Sequence, residues 1–274
     1  MTGRIARSGL PRPRKRFGQH FLEPAWVTKL VDALDAQPTD RFIEIGPGRG
    51  ALTLPLAKRV AELVGVELDR DLAAHLSATT GPPIRVVTAD FLDVDVGALV
   101  TSPAAGPVRV VGNLPYNVSA PILFKLFAAA AGGQVLSDAT VMLQREVADR
   151  LLAAPATSDY GVLSVYVALY ADVTLLLTLP PGAFRPPPKV TSAVVRLRFR
   201  PPEVDIGKDP SVFDALVRGS FAHRRKTLLN ALHFVADRLS QDPAALIARA
   251  GLDPSRRPGE LTLGDFGALA KAVL

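Results

Sequence analysis

The residues best suited to chemistry cluster in the run Val108-Arg109-Val110-Val111-Gly112-Asn113-Leu114-Pro115-Tyr116-Asn117, an apolar stretch that ends abruptly in a rigid, polar and aromatic tip. Val108, Val110 and Val111 read as a buried strand, and Gly112 lets the backbone leave it in an unusual conformation. Pro115 lacks an N–H, fixes its own φ and keeps Leu114 extended, so the carbonyls of the tip point in preset directions. Asn113 adds a side-chain amide and Tyr116 a flat face. Together, with the Pro115 carbonyl, they are equipped to accept hydrogen bonds from a planar amino group and to stack on the ring that carries it. The plainer reading is a strand closed by a proline turn with Tyr116 as core filler, since turns readily use Asn and Pro.

A second set lies upstream. Arg41-Phe42-Ile43-Glu44-Ile45-Gly46-Pro47-Gly48-Arg49-Gly50-Ala51 is a short apolar strand running into a glycine-rich turn, with a helix expected from about Leu52 to Val60. This is the opening unit of a doubly wound domain, whose crevice at the strand's C-terminal end receives a nucleotide-like ligand. Gly46, Gly48 and Ala51 satisfy the pattern of dinucleotide enzymes, so NAD has to be weighed. Glu44, two residues before the first glycine, argues instead for a ligand with a cationic end. Leu63–Glu67 is a second strand tipped by an acid suited to a ribose diol. Ile84–Phe91 is a third, in which Asp90 suits an adenine amino group with Phe91 beside the ring. Glu67 and Asp90 taken singly could be helix N-caps. Acids at the ends of three successive strands, followed by the Asn113 tip on the fourth, are harder to explain that way.

The remaining elements must hold these tips together. A helix is expected from Pro24 to Leu34, a fifth strand over Asp138–Leu143, a helix starting at Gln144–Leu152, and two closing antiparallel strands, Asp172–Leu179 and Ser192–Phe199. The loop between those two carries five prolines around Phe184, which can present that ring at low entropic cost as a second stacking face; a polyproline-like linker packed on the body is the alternative. Residues 201–210 read as a linker between an α/β domain over 23–200 and a compact helical module over 211–274. In that module Val212–Ser220, Arg224–Arg238, Pro243–Ala250 and Leu263–Val273 have helical patterning. Arg218, His223, Arg224, Arg225 and Lys226 gather around the start of its second helix, as an RNA contact or simply a solvated face.

The chain has 274 residues, 48% of them apolar, enough for one large domain and a smaller one. No apolar run approaches the roughly 20 residues that cross a bilayer. The absence of cysteine excludes disulfides, thiolate metal sites and a Cys nucleophile. The net charge of +6 resides in residues 1–22, where Arg4, Arg7, Arg12, Arg14, Lys15 and Arg16 face no acid, while the rest of the chain is balanced. A cationic arm on a neutral body suggests contact with a polyanion such as nucleic acid. Pro11 and Pro13 interrupt any amphipathic targeting helix, so a cytoplasmic location is expected.

Taken in order, Lys15-Arg16-Phe17-Gly18-Gln19-His20-Phe21-Leu22, Glu44-Ile45-Gly46-Pro47-Gly48, Val66-Glu67-Leu68-Asp69-Arg70, Asn113-Leu114-Pro115-Tyr116, Ala183-Phe184-Arg185-Pro186-Pro187-Pro188-Lys189 and Phe221-Ala222-His223-Arg224-Arg225-Lys226-Thr227 make the chain resemble the small-subunit ribosomal RNA adenine dimethyltransferases of the KsgA type. The resemblance implies a class I, Rossmann-like methyltransferase fold with a mostly parallel seven-stranded sheet and a C-terminal helical domain. It implies S-adenosyl-L-methionine as cofactor, with His20, Leu22, Glu44, Gly46, Gly48, Glu67, Asp90, Phe91 and Asn113 around it. The implied reaction dimethylates the N6 amines of two adjacent adenines near the 3′ end of small-subunit RNA, at Asn113, Leu114, Pro115, Tyr116 and Phe184. RNA would be held by Arg14, Lys15, Arg16, Arg218, Arg224, Arg225 and Lys226, with the small ribosomal subunit or its precursor as partner, no metal, and a monomeric enzyme. The erythromycin-resistance type of large-subunit methyltransferase shares several of these motifs, and an RNA-binding assembly factor using the fold as a scaffold is a reading of another class. An NAD-dependent oxidoreductase stands behind both.

Overall fold

The computed structural model describes residues 20–99, 106–132 and 136–273, the side chains of 236–239 excepted. It divides into two compact units, one built from residues up to Arg145 together with Thr174–Arg198, the other from Glu146–Val173 with Phe199–Leu274.

The first unit alternates strand and helix: β1 (Phe21–Leu22), α1 (Pro24–Ala33), β2 (Arg41–Ile45), α2 (Thr53–Ala57), β3 (Glu62–Glu67), α3 (Arg70–Thr79), β4 (Ile84–Thr88), β5 (Val108–Asn113), α4 (Ser119–Ala131) and β6 (Leu136–Gln144). After α5 (Arg145–Leu152) and α6 (Val162–Tyr170) the chain returns through β7 (Ala171–Leu179), β8 (Phe184–Arg185) and β9 (Ser192–Phe199). Seven strands form one sheet in the order β4-β3-β2-β5-β6-β9-β7. The pairs from β4 to β6 are parallel, and β9 runs antiparallel to β6. Every residue of β2 is buried, as expected of a strand covered on both faces. The register aligns Ile45 with Val66 and with Gly112, and Glu67 with Thr88, so the loops leaving four strands open at one edge. Strand order reverses between β2 and β5, which is where such sheets carry their ligand crevice.

Gly112 is required here by proximity. A Cβ at this position would lie 2.9 Å from the Ile45 carbonyl oxygen and 3.1 Å from the Leu114 side chain. The expected departure into an unusual conformation is not what this glycine does; its φ is not among the positive ones. At the other end of the same strand Arg109 donates to both carboxylate oxygens of Asp138 at 3.0 and 3.2 Å from Nε, to Asp40 at 2.7 Å and to the Leu34 carbonyl at 2.7 Å. Arg196 donates to the Ala33 and Leu34 carbonyls at 2.7 and 2.8 Å. Two guanidinium groups thus satisfy the open carbonyl end of α1 and fix that helix beneath the sheet.

The residues just before α1 pair with the proline loop. β1 and β8 form a two-stranded antiparallel ribbon, with Phe21 opposite Arg185 and Leu22 opposite Phe184. Glu23 N–H donates to the Ala183 carbonyl at 2.8 Å, and its carboxylate pairs with Arg185 at 3.2 Å.

The helical unit contains α7 (Pro210–Ala222), α8 (Leu228–Leu239), α9 (Pro243–Arg249) and α10 (Leu263–Ala272). Residues 146–173 join it, ahead of the boundary expected at 201–210. The reason is visible in α6, where Leu163, Val165, Val167 and Leu169 are all buried and Tyr166 packs 6.4 Å from Phe213 with its hydroxyl donating to Asp214. A helix apolar on every side cannot lie on a sheet as a simple crossover and is buried among other helices instead.

Candidate active site

Glycine geometry and a buried acid build the floor of the site. Gly46 N–H donates to the Val66 carbonyl at 2.9 Å, and Gly48 N–H donates to Glu67 Oε2 at 2.8 Å, so the turn after β2 is tied to the tip of β3. Gly48 has φ +59°, and a Cβ there would approach the Phe21 ring to 3.2 Å, so any other residue is strained in its backbone and crowds that ring. Glu67 Oε1 accepts the Asp69 N–H at 2.8 Å. Burial pushes the Glu67 carboxyl above its usual range, and the N–H groups of Asp69 and Gly48 hold part of that rise back. The N-cap of α3 is Asp69, accepting from Asp71 N–H at 3.1 Å, and not Glu67. Asp90 does satisfy its own turn, with Oδ1 accepting Leu92 N–H at 2.9 Å, which leaves its other oxygen for a ligand.

These tips enclose a cavity of about 220 Å³ lined by His20, Phe21, Leu22, Val27, Glu44, Gly46, Pro47, Gly48, Glu67, Leu68, Asp90, Phe91, Asn113, Leu114, Pro115, Val118 and Ile122, among others. Every residue expected around the cofactor is on that wall. Glu44 is 2% exposed, and its Oε2 has no hydrogen-bond partner. Burial pushes its carboxyl up to about 8; the neighbouring Thr53 hydroxyl lowers it and the Glu67 charge raises it again. Thr53 Oγ1 itself lacks a partner in hydrogen-bond geometry, so its help is weak. A buried carboxyl oxygen left unpaired on a cavity wall is costly unless a ligand donates to it.

The Asn113 amide is oriented by the chain. Nδ2 donates to the His20 carbonyl at 2.8 Å, and because a carbonyl oxygen can only accept, the amide NH2 must face it, which leaves Oδ1 as an acceptor on a residue of the cavity wall. Leu114 N–H is held by the Met142 carbonyl at 3.2 Å. The Pro115 carbonyl already accepts Val118 N–H at 3.1 Å, which leaves it one lone pair. Tyr116 is half-buried and is not among the residues that line this cavity; its ring stacks on His20, which does line it, with centroids 5.8 Å apart and planes 24° apart. Its hydroxyl shares a 2.6 Å hydrogen bond with Ser192 Oγ, and burial raises its pKa, the Ser192 contact opposing. The His20 ring bonds the Pro186 carbonyl through Nδ1 at 2.8 Å, so one residue joins the N-terminal segment, the proline loop, the acceptor amide and the stacking ring.

Phe184 is a correction. Its side chain is 0% exposed and packs in the core with Leu22, Leu179 and Val194, so it is not a second stacking face. The prolines fold the loop back as the ribbon with β1, and a ring enclosed there gains more by burial than by presentation. Among the RNA residues, Arg14, Lys15 and Arg16 lie outside the described residues. Arg218 is paired with Asp214 at 2.6 Å and lies over the Tyr166 ring. Arg224 donates to the carbonyls of Ser158 and Thr157 at 2.6 and 2.8 Å, an internal clamp of the helical unit. Arg225 and Lys226 are exposed. The basic run also precedes α8, where it was expected to open a helix, because Thr227 stands just before Leu228 and accepts Asn230 N–H at 3.4 Å. No local pattern marks Ser192 or the His20 carbonyl, both distant in the chain from the groups they position.

A doubly wound sheet with an antiparallel β9, a glycine turn bonded to an acid-tipped β3, and an oriented acceptor amide on β5 together define a class I methyltransferase. The model of the ribosomal RNA adenine dimethylase family matches residues 11–248, and the chain belongs to that family. It is 41% identical over 262 residues to ribosomal RNA small subunit methyltransferase A of Xylella fastidiosa, covering 94% of this chain and 95% of that one. It is 43% identical to the protein of the same name from Xanthomonas campestris, over 95% and 96%. Among solved structures, a dimethyladenosine transferase from Plasmodium falciparum superposes with a TM-score of 0.71 at 23% identity, over 91% of this chain and 96% of that one. The 23S rRNA methyltransferase ErmE follows with 0.62 at 25%, over 92% and 99%.

Proposed function

We propose that this enzyme transfers methyl groups from S-adenosyl-L-methionine to the N6 amines of two adjacent adenines near the 3′ end of small-subunit ribosomal RNA, two to each, acting on the small subunit or its precursor. The Asn113 amide carries the reading: locked by His20, it offers an acceptor oxygen to the same cavity that holds Glu44, Glu67 and Asp90. The cofactor, when bound, supplies an electrophilic methyl group on a sulfonium.

The chain's own groups fit that ligand. Glu44 offers an unpaired buried oxygen to the cationic amino-acid end, Glu67 keeps lone pairs for a ribose diol, and Asp90 with Phe91 suits an adenine edge and face. An adenine amine is a poor nucleophile because its lone pair is delocalised into the ring. Accepting its N–H groups at Asn113 Oδ1 and at a backbone carbonyl favours the pyramidal form in which that pair is free. With the Pro115 carbonyl already accepting from Val118, the carbonyl of Leu114, also a residue of the cavity wall, is the better second acceptor. Tyr116, backed by His20, stacks on the extruded base, whose extrusion costs least in a loop. Alignment of nitrogen, methyl carbon and sulfur contributes most of the rate, roughly 7–11 kcal/mol for well-oriented groups. No side chain need act as a base, since the proton can leave to water after transfer.

Curated relatives at 41–43% identity are named for the small subunit, which favours it over the large-subunit type. Incubating purified small and large subunits from cells lacking the enzyme with methyl-labelled cofactor tests this. Label is expected in small subunits at up to four methyls per particle; incorporation only into large subunits overturns the assignment. A cytoplasmic monomer fits this substrate, and among the described residues no helix is long and apolar enough to cross a membrane.

A further inference from the structure

Phe234 departs from the pattern of its own helix. The buried stripe of α8 is Leu228, Ala231, Leu232 and Val235, at the spacing of one helical face. Phe234 lies off that stripe and is 63% exposed. A single exposed apolar residue needs no explanation. This one is backed by a second ring: His223, at the end of α7, lies face to face with it, centroids 3.6 Å apart and planes 18° apart. The backbone of His223 is held on both sides, its N–H donating to the Ser220 carbonyl at 3.1 Å and its carbonyl accepting Lys226 N–H at 2.8 Å. The imidazole backs one face of the phenyl ring, and the exposure of Phe234 leaves the other face to solvent. Arg225 and Lys226, in the turn joining α7 to α8, are exposed beside it in the chain.

A flat aromatic face whose backing residue lies within three chain positions of two exposed cations has the chemistry of an unpaired nucleotide site, in which the base stacks and its phosphates meet the charges. Helical duplex offers no such free base face. We propose that the His223–Phe234 pair is a stacking platform for an unpaired nucleotide of the RNA substrate, distinct in role from the residues that hold the reacting adenine. The proposal rests on the ribosomal RNA reading above and adds to it a specificity-determining contact in the helical unit.

The test uses the full chain and purified small subunits, with the dissociation constant of the particle, the KM for it and kcat measured separately. Stacking lost on Phe234→Ala is expected to weaken particle binding and raise KM between about 5- and 150-fold, the range found for one stacked base. The expected kcat and the affinity for S-adenosyl-L-methionine are unchanged. Phe234→Leu keeps an apolar side chain but loses the flat face, and is expected to behave like the Ala variant, while Phe234→Trp restores binding. The position is exposed, so melting temperatures should match the wild type. A change in KM and dissociation constant below threefold for Phe234→Ala, or wild-type binding by Phe234→Leu, overturns the platform. A wild-type protein that methylates no small subunit overturns the functional reading instead, and the binding measurement, made without cofactor, still decides the platform.

Discussion

Glu44 makes the binding of a cationic cofactor a proton-release event. In the free enzyme its carboxyl is pushed up to about 8, chiefly by burial, and its buried Oε2 is unpaired. At pH 7 about nine-tenths of the molecules therefore carry a proton there. A ligand ammonium that requires the carboxylate must displace it, so complex formation at pH 7 should release about 0.9 proton, and affinity should improve about tenfold, about 1.4 kcal/mol, between pH 6 and 7. Over that interval an α-amino group of ordinary pKa, about 7.7–8, stays mostly cationic and contributes little. Calorimetric titrations in buffers of differing ionisation enthalpy give the proton count directly. Glu44→Gln keeps the shape and removes the titration, so its affinity should be flat from pH 6 to 7 with no proton released. Equal pH profiles for wild type and Gln variant would refute the reasoning. The same group shapes the stability of the free protein. Its folded pKa lies above the ordinary 4.5, so the folded state binds the extra proton, and stability falls as pH rises from about 4.5 to 8, by up to about 4–5 kcal/mol from this group alone. Thermal unfolding of the Gln variant should lose that slope.

The acceptor amide, the strand glycine, the Tyr116 phenol and the half-buried Arg109 give four further tests. Asn113→Ala should lower kcat about 10²–10³-fold, as for loss of one oriented polar group, with cofactor affinity within a few-fold in calorimetry. Gly112→Ala forces a methyl group against the Ile45 carbonyl and should cost about 1–3 kcal/mol in denaturant unfolding. Ser192→Ala and Tyr116→Phe each break the same 2.6 Å hydrogen bond; each should cost about 1 kcal/mol, and the double variant little more than either, which a double-mutant cycle reads. Arg109→Ala leaves Asp138 and the end of α1 uncompensated and should cost about 3–5 kcal/mol, far from the cavity and with cofactor affinity unchanged in the folded fraction.

The strands and their acid tips were legible because local pattern decides them. Phe42, Ile43 and Ile45 form an apolar run ending at Gly46, and the same signature recurs at Val66-Glu67 and Val111-Gly112-Asn113, so the residues at the cavity wall could be named before any coordinates. What stayed hidden depends on pairing across long separations. β1 and β8 are two residues each and more than 160 positions apart, too short to show any period, yet their pairing decides that Phe184 is buried and that His20 reaches Asn113. Likewise the charge of Arg224 was plain, but its partners, the carbonyls of Thr157 and Ser158, belong to a loop whose place in the helical unit follows from the burial of α6. Gly112 was recognised as special for the wrong reason, since conformational freedom and close approach leave the same residue in a sequence.

Mass spectrometry of nuclease-digested ribosomal RNA, after undermethylated small subunits are incubated with enzyme and S-adenosyl-L-methionine, decides whether the amine is held at the tip of β5. Two neighbouring N6,N6-dimethyladenosines are expected with the wild type, and their formation about 10²–10³-fold slower with Asn113→Ala, although that variant still binds the cofactor. Dimethyladenosine formed at a normal rate without the Asn113 amide, or methyl groups found on other bases alone, would contradict it.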